Sequence, residues 1–348
     1  MKCLLLAPMR YPFVRAIQAG LEGSGFEVIG ADFAEFFSRR TNNFVNKFAS
    51  LPKRVKDHWE RPYTKKVNEE YRRLFAEHRP ELVFIYNNQL IEPEVLAEFR
   101  RKAKVAFMLG DNPLYTRTSN LHNLHILFEA DYIISPDSMW RDQLTRMGVK
   151  NIHFDCFGYH SGIYHPMEVS AEDLEKYRSD FIYVGSANKS NWGYKRTLFL
   201  NLFRDMDLRA YISGKGAERW VDFFPELQGK VLEHNRFDAG FNNLVYNCSK
   251  IAPVEQVPSL FHGIHVRAID ALGAGILPLC EYSKDLACLF DGLEVPMIGD
   301  YEEGREMARY WLEHEQERQE CVARMRKRIE ENYEPTMVVG RMMEYVFN

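Results

Sequence analysis

Short apolar runs alternate with amphipathic helical patterns along this chain, and the alternation begins twice. The first series gives strand patterns at 2–7, 26–29, 82–86, 104–109, 131–135 and 151–157. Helical patterns stand between them at 13–21, 65–78, 93–102, 120–128 and 137–147. The second series has strands at 180–185, 208–213, 249–254 and 275–279, with helices at 194–203, 238–248, 264–272 and 283–290. Strands that read as nearly continuous apolar runs are buried on both faces, and intervening helices supply the right-handed crossovers of a parallel sheet. Two such series predict an α/β protein of two Rossmann-like halves, and 348 residues suit about two domains. The link carries Tyr159-His160-Ser161-Gly162, His165-Pro166 and a short charged helix. We therefore expect a first domain over 1–165 and a second over 166–333. The segment 334–348 predicts one more helix, with Pro335 in its first turn and Val338, Met342 and Val346 forming one apolar stripe.

Composition removes several alternatives. The net charge of −4 gives no overall nucleic-acid signature. No run approaches the ~18 apolar residues of a membrane span, and Arg10 and Arg15 follow the N-terminal apolar run too closely for a signal peptide. The six cysteines are scattered without a C-x-x-C pair, as expected of reduced thiols in a cytoplasmic protein, and no ligand spacing suggests a metal site. The stretch 51–73 holds eight Lys/Arg and four Asp/Glu, with Trp59 and Tyr63 among them. It reads either as a solvated helix and loop or as a patch for acceptor or membrane-surface contact.

Ligands of open parallel sheets bind beyond the carboxyl ends of the strands, and in two-domain versions between the domains. That rule sorts the motifs. Gly23-Ser24-Gly25 lies between a helix and a strand, so it reads as a helix stop and not as a dinucleotide fingerprint. Asp205-Met206-Asp207 likewise occupies a helix-to-strand connection. By contrast, Gly185, Ser186 and Lys189 follow the first strand of the second half, with Lys195 and Arg196 on the next helix. Small residues there let a phosphate approach backbone N–H groups at a helix N-terminus. Gly214 and Lys215 end the next strand at the same edge. The run from His262 and Gly263 leads into a helix carrying Arg267 and Asp270, which at i, i+3 also suit an ordinary helical ion pair. In the first half, Asp111 follows a strand and is either a general base for an acceptor hydroxyl or a turn residue. His125, His153 and His160 are weaker candidates.

These residues together resemble a known family. The segment 180–300 resembles the nucleotide-binding half of glycosyltransferases of the GT-B fold, in particular the CgeB-like, spore-maturation-protein-type enzymes. The resemblance runs through Phe181-Ile182-Tyr183-Val184-Gly185-Ser186 with Arg196, then Cys248-Ser249-Lys250-Ile251. It continues through Gly263 to Gly275 and Leu289 to Val295, and Gly110-Asp111-Asn112-Pro113 and His165-Pro166 extend it to the first half. The family's usual glutamate three residues after the arginine is here Asp270, and the second glutamate of many retaining relatives is here His262.

The resemblance implies two Rossmann-like domains facing a cleft, with the last helix crossing back to the first. It implies transfer of a sugar from a nucleotide-sugar donor without a metal or other cofactor. The diphosphate would be held around Gly185 and Ser186 with Lys189, Arg196 or Arg267, and the ribose by Asp270. Gly214, Lys215, His262 and Gly263 would complete the donor site, with Asp111 as the base if the enzyme inverts. The acceptor stays open: a protein, a glycan, a lipid-linked sugar, a small molecule or a modified nucleobase. The alternatives are an epimerase or phosphorylase of the same fold, or a non-catalytic two-lobed binding module.

Overall fold

A computed structural model describes residues 1–48, 51–87, 89–114, 122–187, 191–214, 218–234 and 238–348. The chain forms two compact units, one of residues 1–157 and 335–348, the other of residues 158–334. The first unit runs β1 (Lys2–Leu6), α1 (Pro12–Gly23), β2 (Glu27–Ala31), α2 (Arg39–Phe48), α3 (Lys53–His78) and β3 (Leu82–Tyr86). It continues with α4 (Pro93–Arg100), β4 (Lys104–Met108), α5 (His122–Glu129), β5 (Tyr132–Ser135), α6 (Ser138–Arg146) and β6 (Ile152–Phe154). The second unit holds α7 (Ala171–Tyr177), β7 (Ser179–Ser186), α8 (Asn191–Leu200), β8 (Leu208–Ser213), α9 (Glu218–Phe223) and β9 (Val231–Glu233). After these come α10 (Ala239–Asn247), β10 (Ser249–Val254), α11 (Val266–Ala274), β11 (Leu277–Glu281) and α12 (Lys284–Leu289). The unit closes with β12 (Met297–Ile298), α13 (Tyr301–Glu313) and α14 (Glu315–Asn332), and α15 (Pro335–Phe347) ends the chain within the first unit.

In the first unit six parallel strands lie in the order β2-β1-β3-β4-β5-β6, with Cys3 level with Val28 on one side and Leu82 on the other. Leu4, Leu5, Leu6, Val83, Phe84 and Ile85 are fully buried, as strands covered by helices on both faces require. Helix α1 starts on Pro12, whose missing N–H costs nothing in the first turn, and turns Val14, Ile17 and Leu21 inward. Helix α15 presents Val338, Val339 and Met342 to the same core. The contact between α1 and α15 is close: a Cβ on Gly20 would stand 2.6 Å from the carbonyl oxygen of Pro335. Arg341 of α15 also grips Asp155 with two bonds of 2.8 and 2.7 Å. Helix α3 differs from the sequence expectation by starting at Lys53 and passing through Pro62. Pro62 is exposed, so its missing N–H leaves no carbonyl stranded away from water.

The second unit has six parallel strands in the order β12-β11-β10-β7-β8-β9. The edge strands β9 and β12 span three and two residues, too few to show a pattern in the sequence. The junction falls after Phe157, eight residues before the position expected from the sequence. Tyr159 and Tyr164 pack on Gly273 of α11, where a Cβ would meet them at 2.8 and 2.9 Å, and the N–H of Gly158 donates to Tyr333 at 2.5 Å. Those contacts bind 158–164 to the second unit. None of the six cysteines forms a disulfide. Among the described residues no helix is long and apolar enough to cross a membrane.

Candidate donor site at the switch point of the second sheet

From β7 the chain moves outward to β8 and β9, then returns to the other side of β7 for β10, β11 and β12. The order reverses between β7 and β10, and a parallel sheet opens a crevice at the carboxyl ends of such a pair. Gly185 and Ser186 end β7 there, and Glu255 follows β10 directly. Gly185 is required from below: a Cβ would lie 2.6 Å from the ring of Tyr183, two residues back on the same face. Ser213, level with Ser186 on β8, donates its hydroxyl to the Gly185 carbonyl at 3.2 Å and accepts the N–H of Ala187 at 2.8 Å. Gly214 then turns the chain with φ +90°, a left-handed conformation that glycine adopts without penalty. Lys189 and Lys215, both expected in the donor site, lie outside the described residues.

The centre of the site is a buried carboxylate between two arginines. Glu255 has no exposed surface. Its Oε1 receives Arg196 Nε at 2.5 Å and the Tyr183 hydroxyl at 3.2 Å, and its Oε2 faces Arg267 Nη2 at 2.5 Å. Burial alone would raise the carboxyl pKa, but Arg267 and Arg196 outweigh it and hold the group well below the usual carboxylate range. Arg196 is fully engaged: Nη1 donates to the Ser186 carbonyl at 2.6 Å and the guanidinium lies over the Trp192 ring at 4.5 Å. It ties α8 to the ends of β7 and β10.

Arg267 stands differently. Its guanidinium lies 4.5 Å above the Tyr183 ring, and Nη2 also lies 3.2 Å from His265 Nε2. Its Nη1 is buried without a hydrogen-bond acceptor. The helical ion pair with Asp270 does not form: Arg267 turns to Glu255, and among the described residues Asp270 has no ion-pair partner. Asp270 is partly buried, and burial pushes its carboxyl up to about 8 against the pull of Arg267. His265 caps α11, accepting the N–H of Arg267 at its Nδ1 at 3.1 Å. Burial and then the neighbouring Arg267 keep its ring neutral.

The loop before α11 is held by its neighbours. Ser283 donates to the carbonyls of His262 and Gly263 at 2.5 and 2.9 Å, and Gln256 Nε2 donates to Gly263 at 2.7 Å. Lys195 pairs with Glu281 and donates to the Gln256 carbonyl at 2.5 Å, while Glu281 also accepts the Gln256 N–H and the Tyr301 hydroxyl. The structure thus brings Gly185, Ser186, Arg196 and Arg267 together around Glu255, with Asp270 one turn along α11. Glu255 was missed by sequence reasoning. Its one signal is an acidic residue directly after the apolar end of β10, and the partners that give it meaning come from three separate elements.

In the first unit Asp111 follows β4 exposed, and its Oδ2 accepts Asn87 Nδ2 at 2.8 Å. His153 stacks on Tyr132 at 4.4 Å and meets Tyr345 edge-on at 4.6 Å, and His160 accepts the Gly162 N–H within a turn at 3.1 Å. His125 lies on α5. Asp205 pairs with Arg305 at the amino end of β8. Among the described residues no cluster of three His, Cys, Asp or Glu is placed to hold a metal.

Two parallel-sheet Rossmann-like units define a protein of the GT-B fold, and solved structures agree over the full length. Sucrose-phosphate synthase from Thermosynechococcus elongatus matches with a TM-score of 0.69 and 13% identity, covering 100% of this chain and 99% of that one. HepE of Anabaena, solved with UDP and glucose, matches with 0.64 and 15%, covering 99% and 98%. A putative UDP-N-acetylglucosamine 2-epimerase from Listeria monocytogenes matches with 0.54 and 12%, covering 99% and 94%. Residues 195–344, most of the second unit and the first ten residues of α15, match a family model described as glycosyl transferase-like. No curated protein sequence matches the chain.

Proposed function

We propose that the chain is a CgeB-like, spore-maturation-type glycosyltransferase that moves a sugar from a nucleotide-sugar donor held at the β7/β10 switch point. The observation that carries this reading is the pairing of two unsatisfied groups on one helix. Arg267 offers a buried nitrogen with no acceptor, and one turn away Asp270 offers a carboxyl group with no ion-pair partner among the described residues. A diphosphate oxygen answers the first and the vicinal ribose hydroxyls answer the second. Two arginines against Glu255 leave the pocket one positive charge in excess, which stabilises a departing diphosphate. Asp111, with one oxygen held by Asn87, is the candidate base for the acceptor hydroxyl.

UDP-sugars are the first donors to test, since the HepE structures hold UDP and UDP-glucose. Incubation of the pure protein with a panel of UDP-sugars should release UDP slowly in the absence of acceptor. Arg267→Ala should raise the UDP dissociation constant ~10–100-fold. Conversion of the sugar without release of UDP would identify an epimerase, and binding without turnover a non-catalytic module. The surface contact expected of 51–73 belongs to the same reading: Leu51, Val55 and Trp59 recur every fourth residue and are exposed, with exposed Phe44 of α2 edge-on to Trp59 at 6.2 Å. Exposed Arg54 and Arg61 accompany them. Co-sedimentation with vesicles containing phosphatidylserine, lost in Trp59→Ala, tests it.

A further inference from the structure

We infer that Glu255 is a positioning residue, whose task is to hold the guanidinium of Arg267 so that its free Nη1 meets the donor diphosphate. The inference rests on the nucleotide-sugar reading above and concerns a residue that would not itself touch the ligand.

An acid under a phosphate site is at first sight a liability, because it cancels positive charge that the ligand needs. The geometry gives it a different value. Glu255 has no exposed surface, and its two oxygens are divided: Oε1 takes Arg196 and the Tyr183 hydroxyl, Oε2 takes Arg267. Arg196 is in turn fixed by the Ser186 carbonyl and the Trp192 ring, so the Glu255 carboxylate is clamped on the side away from Arg267. Arg267 is then held at two points, by Oε2 at one nitrogen and by the Tyr183 ring beneath its plane, while His265 Nδ1 fixes the helix start by accepting the Arg267 backbone N–H. What remains is Nη1, a buried nitrogen whose N–H groups have no protein acceptor. Buried donors in folded proteins are almost always paired, so this one is set for an acceptor that arrives with the ligand. Five donors in a rigid fork let arginine bind a carboxylate and a phosphate oxygen together, which lysine cannot do. Preorganisation of this kind lowers the ordering cost of binding.

The inference separates from a simple charge argument by the sign of one measurement. If Glu255 only reduces positive charge, Glu255→Gln should tighten UDP. If Glu255 positions Arg267, the same change should weaken UDP despite the added charge, by about tenfold. Uridine, which has no phosphate, should bind the variant as it binds the wild type. Calorimetric titration of both ligands reads this directly. The double variant Glu255→Gln/Arg196→Met restores the local charge balance and removes one of the two buried cations that the single change leaves without a counter-ion. It should remain weak for UDP and unchanged for uridine, and it decides the case if the single variant does not fold. UDP affinity equal to or above wild type in either variant overturns the inference, as does an equal loss for UDP and uridine. Failure of the donor reading looks different: wild-type protein would then bind neither ligand.

Discussion

Asp270 gives the site its pH behaviour. Its folded carboxyl titrates near 8 because burial outweighs Arg267, whereas the unfolded chain titrates it near ~4. The folded state therefore holds a proton that the unfolded state has lost, and this group's contribution to stability is complete below ~4 and declines as pH rises through about 8. Asp270→Asn should leave the melting temperature unchanged near pH 4 and raise it above wild type by pH 9, read by thermal scans across that range. On the proposed reading, in which ribose hydroxyls donate to the ionised Asp270, UDP binding should tighten roughly tenfold from pH 7 to 9 in the wild type and stay flat in the variant. At this scale Arg267 and Asp270 were legible in the sequence, because a helix that follows a central strand places its first two turns at the sheet's ligand edge. Their relation was not. Spacing pairs them with each other, whereas the fold pairs Arg267 with Glu255 across to β10 and leaves Asp270 without an ion-pair partner among the described residues.

Elements were legible where their period was long and their faces distinct. The strands buried on both sides, β1, β3, β4, β7, β8, β10 and β11, stand where the apolar runs lie, whereas β9 and β12 are too short to announce themselves. Two glycines show how packing overrides propensity. Alanine in a helix interior gains ~0.5–1 kcal/mol over glycine, and Gly340 of α15 has open space around its Cβ position. Gly340→Ala should stabilise by that amount in denaturant titration. Gly20 of α1 faces the backbone of Pro335 at 2.6 Å, which a side-chain rotation cannot relieve. Gly20→Ala should therefore destabilise by ~1–3 kcal/mol in the same titration.

For the whole molecule, the double start of the strand–helix alternation was enough to count two units, but not to place the junction, which depends on Tyr159 and Tyr164 meeting Gly273. Removing residues 335–348 should uncover the face on which Val338, Val339, Met342 and Val346 rest beside Val14, Ile17 and Leu21. Limited chymotrypsin digestion of such a chain should then degrade 1–157 while 158–334 resists; equal resistance of both would show that α15 is dispensable to the first core. The same arrangement has a consequence during synthesis. A ribosome makes the sheet of the first unit early but supplies its closing helix only after the entire second unit has been translated, roughly 10–35 s later at ordinary elongation rates. The contiguous second unit is free to complete its fold in that interval. The unit that begins first therefore finishes last, and the apolar face of α1 that Val338, Val339 and Met342 cover stays exposed until the chain is complete to that helix.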